Sequence, residues 1–338
     1  LIKQGITSIE KIEEPAEELP EEPKPSPKPE PQPEEPKTPA AAEPIQMLMD
    51  TFSQRIVQGT LPTDPRGLRQ IARETLGKDY PAEERTDEIH DALEGALLLA
   101  YRQKSKQGLP LIERLRLADS FESKLGSRAR TLWMVDRQQF STPLPIAESA
   151  AYALDARPGE TVLEPTAGTG NLIEPLRDKG LEIAAIELDP RRVRVLKAVG
   201  VEAGEGDYLK TSVSPVDLII TNPPWGGFAK TRTRAQRIAK RIPLPFQAND
   251  LSQRFFAKAI QRDLKDGGRI VAVMPPNLLE PSGASFIKWL KGNFTVRAII
   301  QSPPKAYIHR ATDIHSVLLV VDKAKIPDVP ELISGAPE

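Results

Sequence analysis

From residue 140 onward the apolar positions alternate between two spacings. Short runs such as "TVLEP" (161–165), "LEIAAIELD" (181–189) and "VDLIITNPPW" (216–225) are almost continuously apolar. That is the signature of strands buried on both faces of a sheet. Between them, "PIAESAAYALDA", "NLIEPLRDKG", "PRRVRVLKAVG" and "SGASFIKWLKGN" carry apolar residues at helical spacing, and "NDLSQRFFAKAIQRDLKDGG" (249–268) predicts a long helix. With "VEAGEGDYL", "RIVAVMPPNLL", "FTVRAIIQS" and "IHSVLLVVDK", seven strands are expected, the last antiparallel and the sheet ending near Lys323. Strands alternating with helices predict a doubly wound, mostly parallel α/β sheet.

Residues 45–139 are helical in pattern throughout. "RGLRQIARETLG" has Thr63 or Asp64 as cap and Gly77 as stop, "TDEIHDALEGALLLAYRQ" has Thr86 as cap, and "LPLIERLRLADSFESKL" gives a third long helix. These residues are expected to form a helical accessory domain, with His90 in a structural role. Residues 1–44 are rich in Glu, Pro and Lys and hold no large apolar residue after Leu19. Such a tail buries too little surface to offset its ordering entropy, so a disordered spacer leading to a segment upstream is expected. The expected division is therefore 1–44 tail, 45–139 helical domain, 140–325 sheet domain and 326–338 C-terminal tail.

The charge is unevenly spread. Residues 1–44 balance to −6 within a chain of net −1, so the remainder is +5 and mildly basic. That permits a polyanionic partner without demanding one. No cysteine is present, which excludes disulfides and Cys-ligated zinc, and the three histidines have no ligand spacing, so no metal is expected. No apolar run has membrane-span length, and a cytoplasmic protein without membrane contact is expected.

The candidate chemistry gathers at strand ends, where open α/β sheets bind ligands. "LEPTAGTGNL" turns from the first strand through Gly168, Thr169 and Gly170. A Gly-x-Gly turn can be an ordinary tight turn, and the third glycine of a dinucleotide fingerprint is replaced by Ile173. The second strand ends at Glu187, whose carboxylate suits a ribose diol, and the third leads to Asp207, which suits the exocyclic amine of adenine, with Tyr208 able to flank the ring. Three successive strand tips thus point to a nucleoside.

The series "FSTP", "LEPTAGTGN", "IELDP", "GDYL", "NPPW" resembles the S-adenosylmethionine-dependent adenine-N6 DNA methyltransferases with the cofactor half first. The resemblance spans Phe140 to about Lys323 and implies a Rossmann-like seven-stranded methyltransferase sheet binding S-adenosyl-L-methionine. It implies that Thr142 and Pro143 hold the methionine end of the cofactor. Glu164, Thr166, Gly168 and Gly170 then line the methionine and sulfonium region, Glu187 takes the ribose, and Asp207 takes the adenine amine. "LWMVDRQQFSTPLPIAESAAYAL" (132–154) is further similar to the methyltransferase module of large phage and plasmid antirestriction proteins, in which a strawberry-notch-type helicase follows. This implies a phage- or plasmid-borne origin in a bacterial host, with a helicase or target-recognition chain as partner.

The adenine amine is a poor nucleophile because its lone pair is delocalised into the ring. Asn222 and Pro223 offer carbonyl oxygens that can draw that pair toward tetrahedral geometry. Pro224 stiffens the loop, and Trp225 offers a face for a flipped base. The plainer readings are a Pro-rich turn and a packing indole. Family members usually carry Tyr or Phe where Trp225 stands. Lys230, Arg232, Arg234, Arg237, Lys240 and Arg241 follow without an intervening acid. They read either as a solvated run or as contacts to a DNA backbone. No target-recognition domain is legible, which points to low sequence specificity, recognition through the N-terminal helices or a partner chain; relaxed site preference is expected, with single- and double-stranded DNA both open. RNA (guanine-N2 or adenine-N6) or protein-glutamine methylation, and a non-catalytic component binding cofactor or DNA, are the alternatives.

Overall fold

The computed structural model describes residues 43–105, 108–125, 141–226, 244–248, 250–310 and 315–324, and the backbone of 332–334. The tail expected over 1–44 therefore lies outside the described residues except for its last two, Phe140 lies outside them, and so do all six basic residues from Lys230 to Arg241.

The seven expected strands are present: β1 (Thr161–Glu164), β2 (Glu182–Glu187), β3 (Ala203–Glu205), β4 (Val216–Thr221), β5 (Leu264–Met274), β6 (Thr295–Gln301) and β7 (Val317–Asp322). Their order in the sheet is β3-β2-β1-β4-β5-β7-β6. The pairs from β3 to β5 are parallel, and β7 runs antiparallel between β5 and β6. The strand order reverses between β1 and β4, the crevice in which doubly wound sheets take ligands.

Eight α-helices surround the sheet among the described residues: α1 (Pro44–Gln58), α2 (Pro65–Leu76), α3 (Thr86–Lys104), α4 (Leu111–Glu122), α5 (Leu144–Leu154), α6 (Pro190–Ala198), α7 (Leu251–Lys258) and α8 (Ala284–Asn293). Asp64 caps α2 by accepting from the amides of Arg66 and Gly67, and Gly77 ends it, as the sequence predicts.

Several expectations are corrected. Thr86 does not cap α3; its hydroxyl bonds back to the Glu83 carbonyl at 2.9 Å and Arg85 stands at the cap position. "NLIEPLRDKG" forms turns and a single 3-10 turn (Glu174–Leu176), because Pro175 interrupts it and Asp178 and Gly180 take positive φ. The long helix of 249–268 stops at Lys258. A π-turn over Ala259–Asp263 follows, and Leu264 already pairs with Val216 as the first residue of β5. The sheet does not end near Lys323: β8 (Leu332–Ser334), inside the expected tail, adds parallel to β6 and makes an eighth strand. An unpaired edge readily accepts such a short segment.

The helical region is not packed as a separate body. Residues 42–338 form one compact unit. A single buried cluster joins Leu48, Phe52, Ile89, Ala96 and Leu97 of α1 and α3 to Ala167, Ala185, Val195 and Leu196 of the sheet and α6. The helices expected as an accessory domain thus cover one face of the sheet on the side of β1 and β2. A second cluster lies under α7 and α8, and a third lies between α5 and β1, β4 and β5.

Candidate functional site

Parallel pairing in register brings the C-terminal ends of β1, β2 and β3 to one edge, with Glu187 opposite Glu205 and Glu164 opposite Ala185. The turn after β1 is fastened to the tip of β2. The Ala167 amide donates to the Ile186 carbonyl at 2.9 Å, and the Gly168 amide donates to Glu187 Oε2 at 2.7 Å. Gly170 has φ +97°, and a Cβ there would lie 3.2 Å from Leu196 Cδ2, so both backbone and packing ask for glycine.

Glu187 also accepts from the Asp189 amide at 2.8 Å. A carboxylate has about four lone-pair positions, so two remain beyond these two bonds. Burial holds Glu187 above the ordinary carboxylate range, against the pull of the Arg192 guanidinium and the two backbone donors. Glu164 is 1 % exposed. Its Oε1 accepts from the Thr166 amide and hydroxyl at 3.0 and 3.1 Å, while Oε2 is buried with no well-formed hydrogen bond. Burial pushes its carboxyl up to about 8, the Glu187 charge adds to this, and the Thr166 donors and the Thr221 hydroxyl oppose it.

Asp207 sits in the turn after β3, accepting from the Leu209 amide at 3.1 Å and pairing with Lys210 at 3.4 Å. Tyr208, expected to flank a ligand ring, does not reach the crevice. It is 2 % exposed, packs on Phe255 and donates to Asp263 Oδ2 at 2.5 Å, with Lys258 Nζ 3.7 Å from its ring centroid. The correction has a simple cause, since an aromatic side chain following a strand tip gains more from the core than from the rim.

The loop after β4 is brought against this edge. Asn222 Nδ2 donates to Thr142 Oγ1 at 3.0 Å, and the Thr166 hydroxyl lies 3.2 Å from the Asn222 backbone carbonyl and 2.9 Å from Thr221 Oγ1. Asn222, Thr142 and Thr166, which are distant in sequence, thus share one polar cluster. Pro143 is buried beside Thr142 as the residue before α5, and its carbonyl accepts from the Ala147 amide at 2.9 Å. Pro223 is buried, whereas Pro224 and Trp225 are half-buried. The indole donates from Nε1 to the Val273 carbonyl at 3.2 Å and meets Tyr307 at 6.0 Å and 61°. Trp225 is therefore anchored by packing as well as partly open.

Sequence reading missed the bracing residues. Glu94 of α3 accepts the Ser141 and Thr169 hydroxyls, and Asn171 donates to the Thr142 carbonyl at 2.7 Å. Asp91 of α3 lies 3.4 Å from Arg192 of α6, both nearly fully buried. Asp250 accepts from the Gly226 amide at 3.0 Å. Leu188, half-exposed between Glu187 and Asp189, offers apolar surface at the β2 tip, and its place in "IELDP" was the available signal.

Residues 199–331 match the family described as N-6 DNA Methylase, a span that begins after α6 and includes "NPPW". A Methanosarcina acetivorans protein named ribosomal RNA small subunit methyltransferase A is 33 % identical over 93 residues, 26 % of this chain and 35 % of that protein. Its Methanosarcina mazei namesake is 27 % identical over 228 residues, 60 % of this chain and 83 % of that protein. The chain thus spans about a third of the first relative's length. A Listeria monocytogenes structure described as a class I S-adenosylmethionine-dependent methyltransferase superposes with TM-score 0.51 at 17 % identity, over 87 % of this chain and 93 % of that one.

Sheet order and strand-tip geometry give the chain the fold of the class I S-adenosylmethionine-dependent methyltransferase that it superposes on. Among the described residues, no helix is long and apolar enough to cross a membrane.

Proposed function

We propose that the chain methylates the N6 amine of adenine in DNA, with Asn222, Pro223, Pro224 and Trp225 as the catalytic loop. The observation that supports this reading is the contact of Asn222 with both Thr142, through its side-chain amide, and Thr166, through its backbone carbonyl, which ties the loop after β4 to the turn after β1. Bound S-adenosylmethionine supplies an electrophilic methyl group. The chain's own residues do the rest. The residues Thr142, Pro143, Glu164, Thr166, Gly168 and Gly170 hold the methionine end, and the buried, incompletely bonded Glu164 suits its ammonium group. Glu187 accepts from the ribose hydroxyls, and Asp207 accepts from the adenine amine of the cofactor.

The side-chain carbonyl of Asn222 and the backbone carbonyl of Pro223 accept the two hydrogens of the target amine. This turns its lone pair toward the methyl carbon, with the surplus proton passing to water after transfer. The open part of Trp225 supports the extruded base by stacking, worth ~1–3 kcal/mol. The basic residues from Lys230 to Arg241 would add salt-dependent backbone contact.

The test is incubation with labelled cofactor and DNA, RNA or protein acceptors. Label is expected in the adenine of DNA and lost in Asn222→Ala. Label in RNA alone would favour a second reading, RNA methylation, which the names of the Methanosarcina relatives support. Protection of phage or plasmid DNA from restriction, together with a helicase or target-recognition partner, is the wider role that the 132–154 likeness suggests. Co-purification from a host challenged with unmodified DNA tests it.

A further inference from the structure

Two hydrogen bonds join the end of the proposed catalytic loop to the start of α7. The Gly226 amide donates to Asp250 Oδ2 at 3.0 Å, and the Leu251 amide donates to the Gly226 carbonyl at 3.1 Å. These partners are 24 residues apart in sequence for the first bond. Asp250 is 1 % exposed, and its second oxygen accepts from the Ser252 amide at 2.8 Å and hydroxyl at 2.5 Å. One carboxylate therefore serves two unrelated clients, a helix cap and the loop. Gly226 has φ +129°, a conformation that residues with side chains rarely adopt, so the turn asks for glycine at this position. Upstream the same loop is tied through Asn222 to Thr142 and through Trp225 to the Val273 carbonyl.

We infer that Asp250 is a positioning residue for the proposed methyl transfer: acting through Gly226, it fixes the direction in which the chain leaves Trp225. The base platform is thereby held at Thr142 of the cofactor edge and, away from that edge, at the Val273 carbonyl and Asp250. An N-cap alone does not require this arrangement, because Ser, Thr or Asn caps a helix equally well. A buried carboxylate that binds only its own helix would also leave one oxygen unused. The inference rests on the adenine-methylation reading and adds a residue to it.

The test separates the two clients of the carboxylate. Asp250→Ser keeps a capping oxygen for α7 but cannot also reach Gly226, whereas Ser252→Ala removes the hydroxyl donor from the capping oxygen and leaves the cap amide and the Gly226 bond in place. Gly226→Ala disturbs the joint from the other side without touching the cap. Asp250→Ser and Gly226→Ala are expected to lower the single-turnover rate about tenfold or more, since misplacement by an ångström can cost that much. Affinity for S-adenosylhomocysteine should stay within about twofold of wild type, because the cofactor edge is untouched. The peptide containing Trp225 should exchange amide hydrogen faster in both variants. Ser252→Ala should match wild type in rate and exchange. Wild-type rate and exchange in Asp250→Ser, or loss of cofactor affinity in step with activity, would overturn the assignment. A wild-type chain that transfers nothing to DNA or RNA would overturn the methylation reading instead, and the exchange comparison would still decide whether Asp250 holds the loop.

Discussion

The Glu94 carboxylate accepts the Thr169 hydroxyl at 2.9 Å, joining α3 to the glycine turn across 75 residues of sequence. The same oxygen takes the Ser141 hydroxyl, one residue before Thr142. One buried acid on a helix outside the sheet therefore ties together both strands of chain that meet Asn222. A single hydroxyl proton cannot serve Glu94 and Asn171 at once, and the charged acceptor makes the stronger bond.

Glu94→Ala removes an acceptor from two buried hydroxyls. Leaving a buried donor unsatisfied costs ~1–3 kcal/mol, so both stability and the order of the glycine turn should suffer. The expected outcome is a fall in S-adenosylhomocysteine affinity measured by calorimetry, with Thr169→Val giving a smaller loss. The double variant should lose less than the two single losses together, because the residues are in contact.

Asp91 and Arg192, 3.4 Å apart and 2 % and 4 % exposed, form a buried pair between α3 and α6. Removing Asp91 takes one carboxylate from a buried guanidinium that Glu94, Glu187 and Asp189 also stabilise, so the loss should fall below the ~3–5 kcal/mol typical of a broken isolated pair. Asp91→Ala should lower the urea midpoint measurably. Joint replacement with Arg192→Met should recover part of the loss, since an apolar pair of similar volume often substitutes well.

How much of this was legible varies with the range of the interaction. Glu164, Gly168, Gly170, Glu187 and Asn222 were readable because a parallel sheet puts every strand's C-terminal end on one edge, so local motifs became neighbours by topology alone. Glu94 and Asp91 were not readable. Along α3 they look like the polar positions of an ordinary exposed helix face, and only the covering of that face by Arg192 and Thr169 makes them interior. Tyr208 was misread for a similar reason, since its partner Asp263 lies 55 residues away on a π-turn. The early start of β5 was hidden because "LKDGG" has no strand propensity, and its pairing with β4 overrides that.

Glu164 gives a prediction in pH. Its carboxyl stands at about 8 in the fold against an ordinary 4.5, so the ligand-free chain binds this proton more tightly than the unfolded chain does. Its contribution to stability is complete below about pH 4.5 and is lost as pH rises toward about 8. Glu164→Gln, which is neutral throughout, should match wild type near pH 5 and become progressively more stable than it up to pH 8. Thermal midpoints across that range decide it, and parallel curves for the two proteins would refute it.

Trp225 allows its two attachments to be separated. Phe keeps an aromatic face but loses the Nε1 bond to the Val273 carbonyl, whereas Ala loses both the face and the contact with Tyr307. A net hydrogen bond is worth ~1 kcal/mol and a stacked base ~1–3 kcal/mol. If the indole serves mainly as a plate for the target base, Trp225→Phe should retain most of the methylation rate while Trp225→Ala loses it roughly ten- to a hundredfold. Affinity for S-adenosylhomocysteine should change little in either. If packing against Tyr307 is its whole task, the two variants should instead differ in melting temperature and keep similar rates at temperatures where both are folded. Measuring rate and melting side by side on an adenine-containing oligonucleotide distinguishes the outcomes, because the plate role moves kcat and the packing role moves only stability.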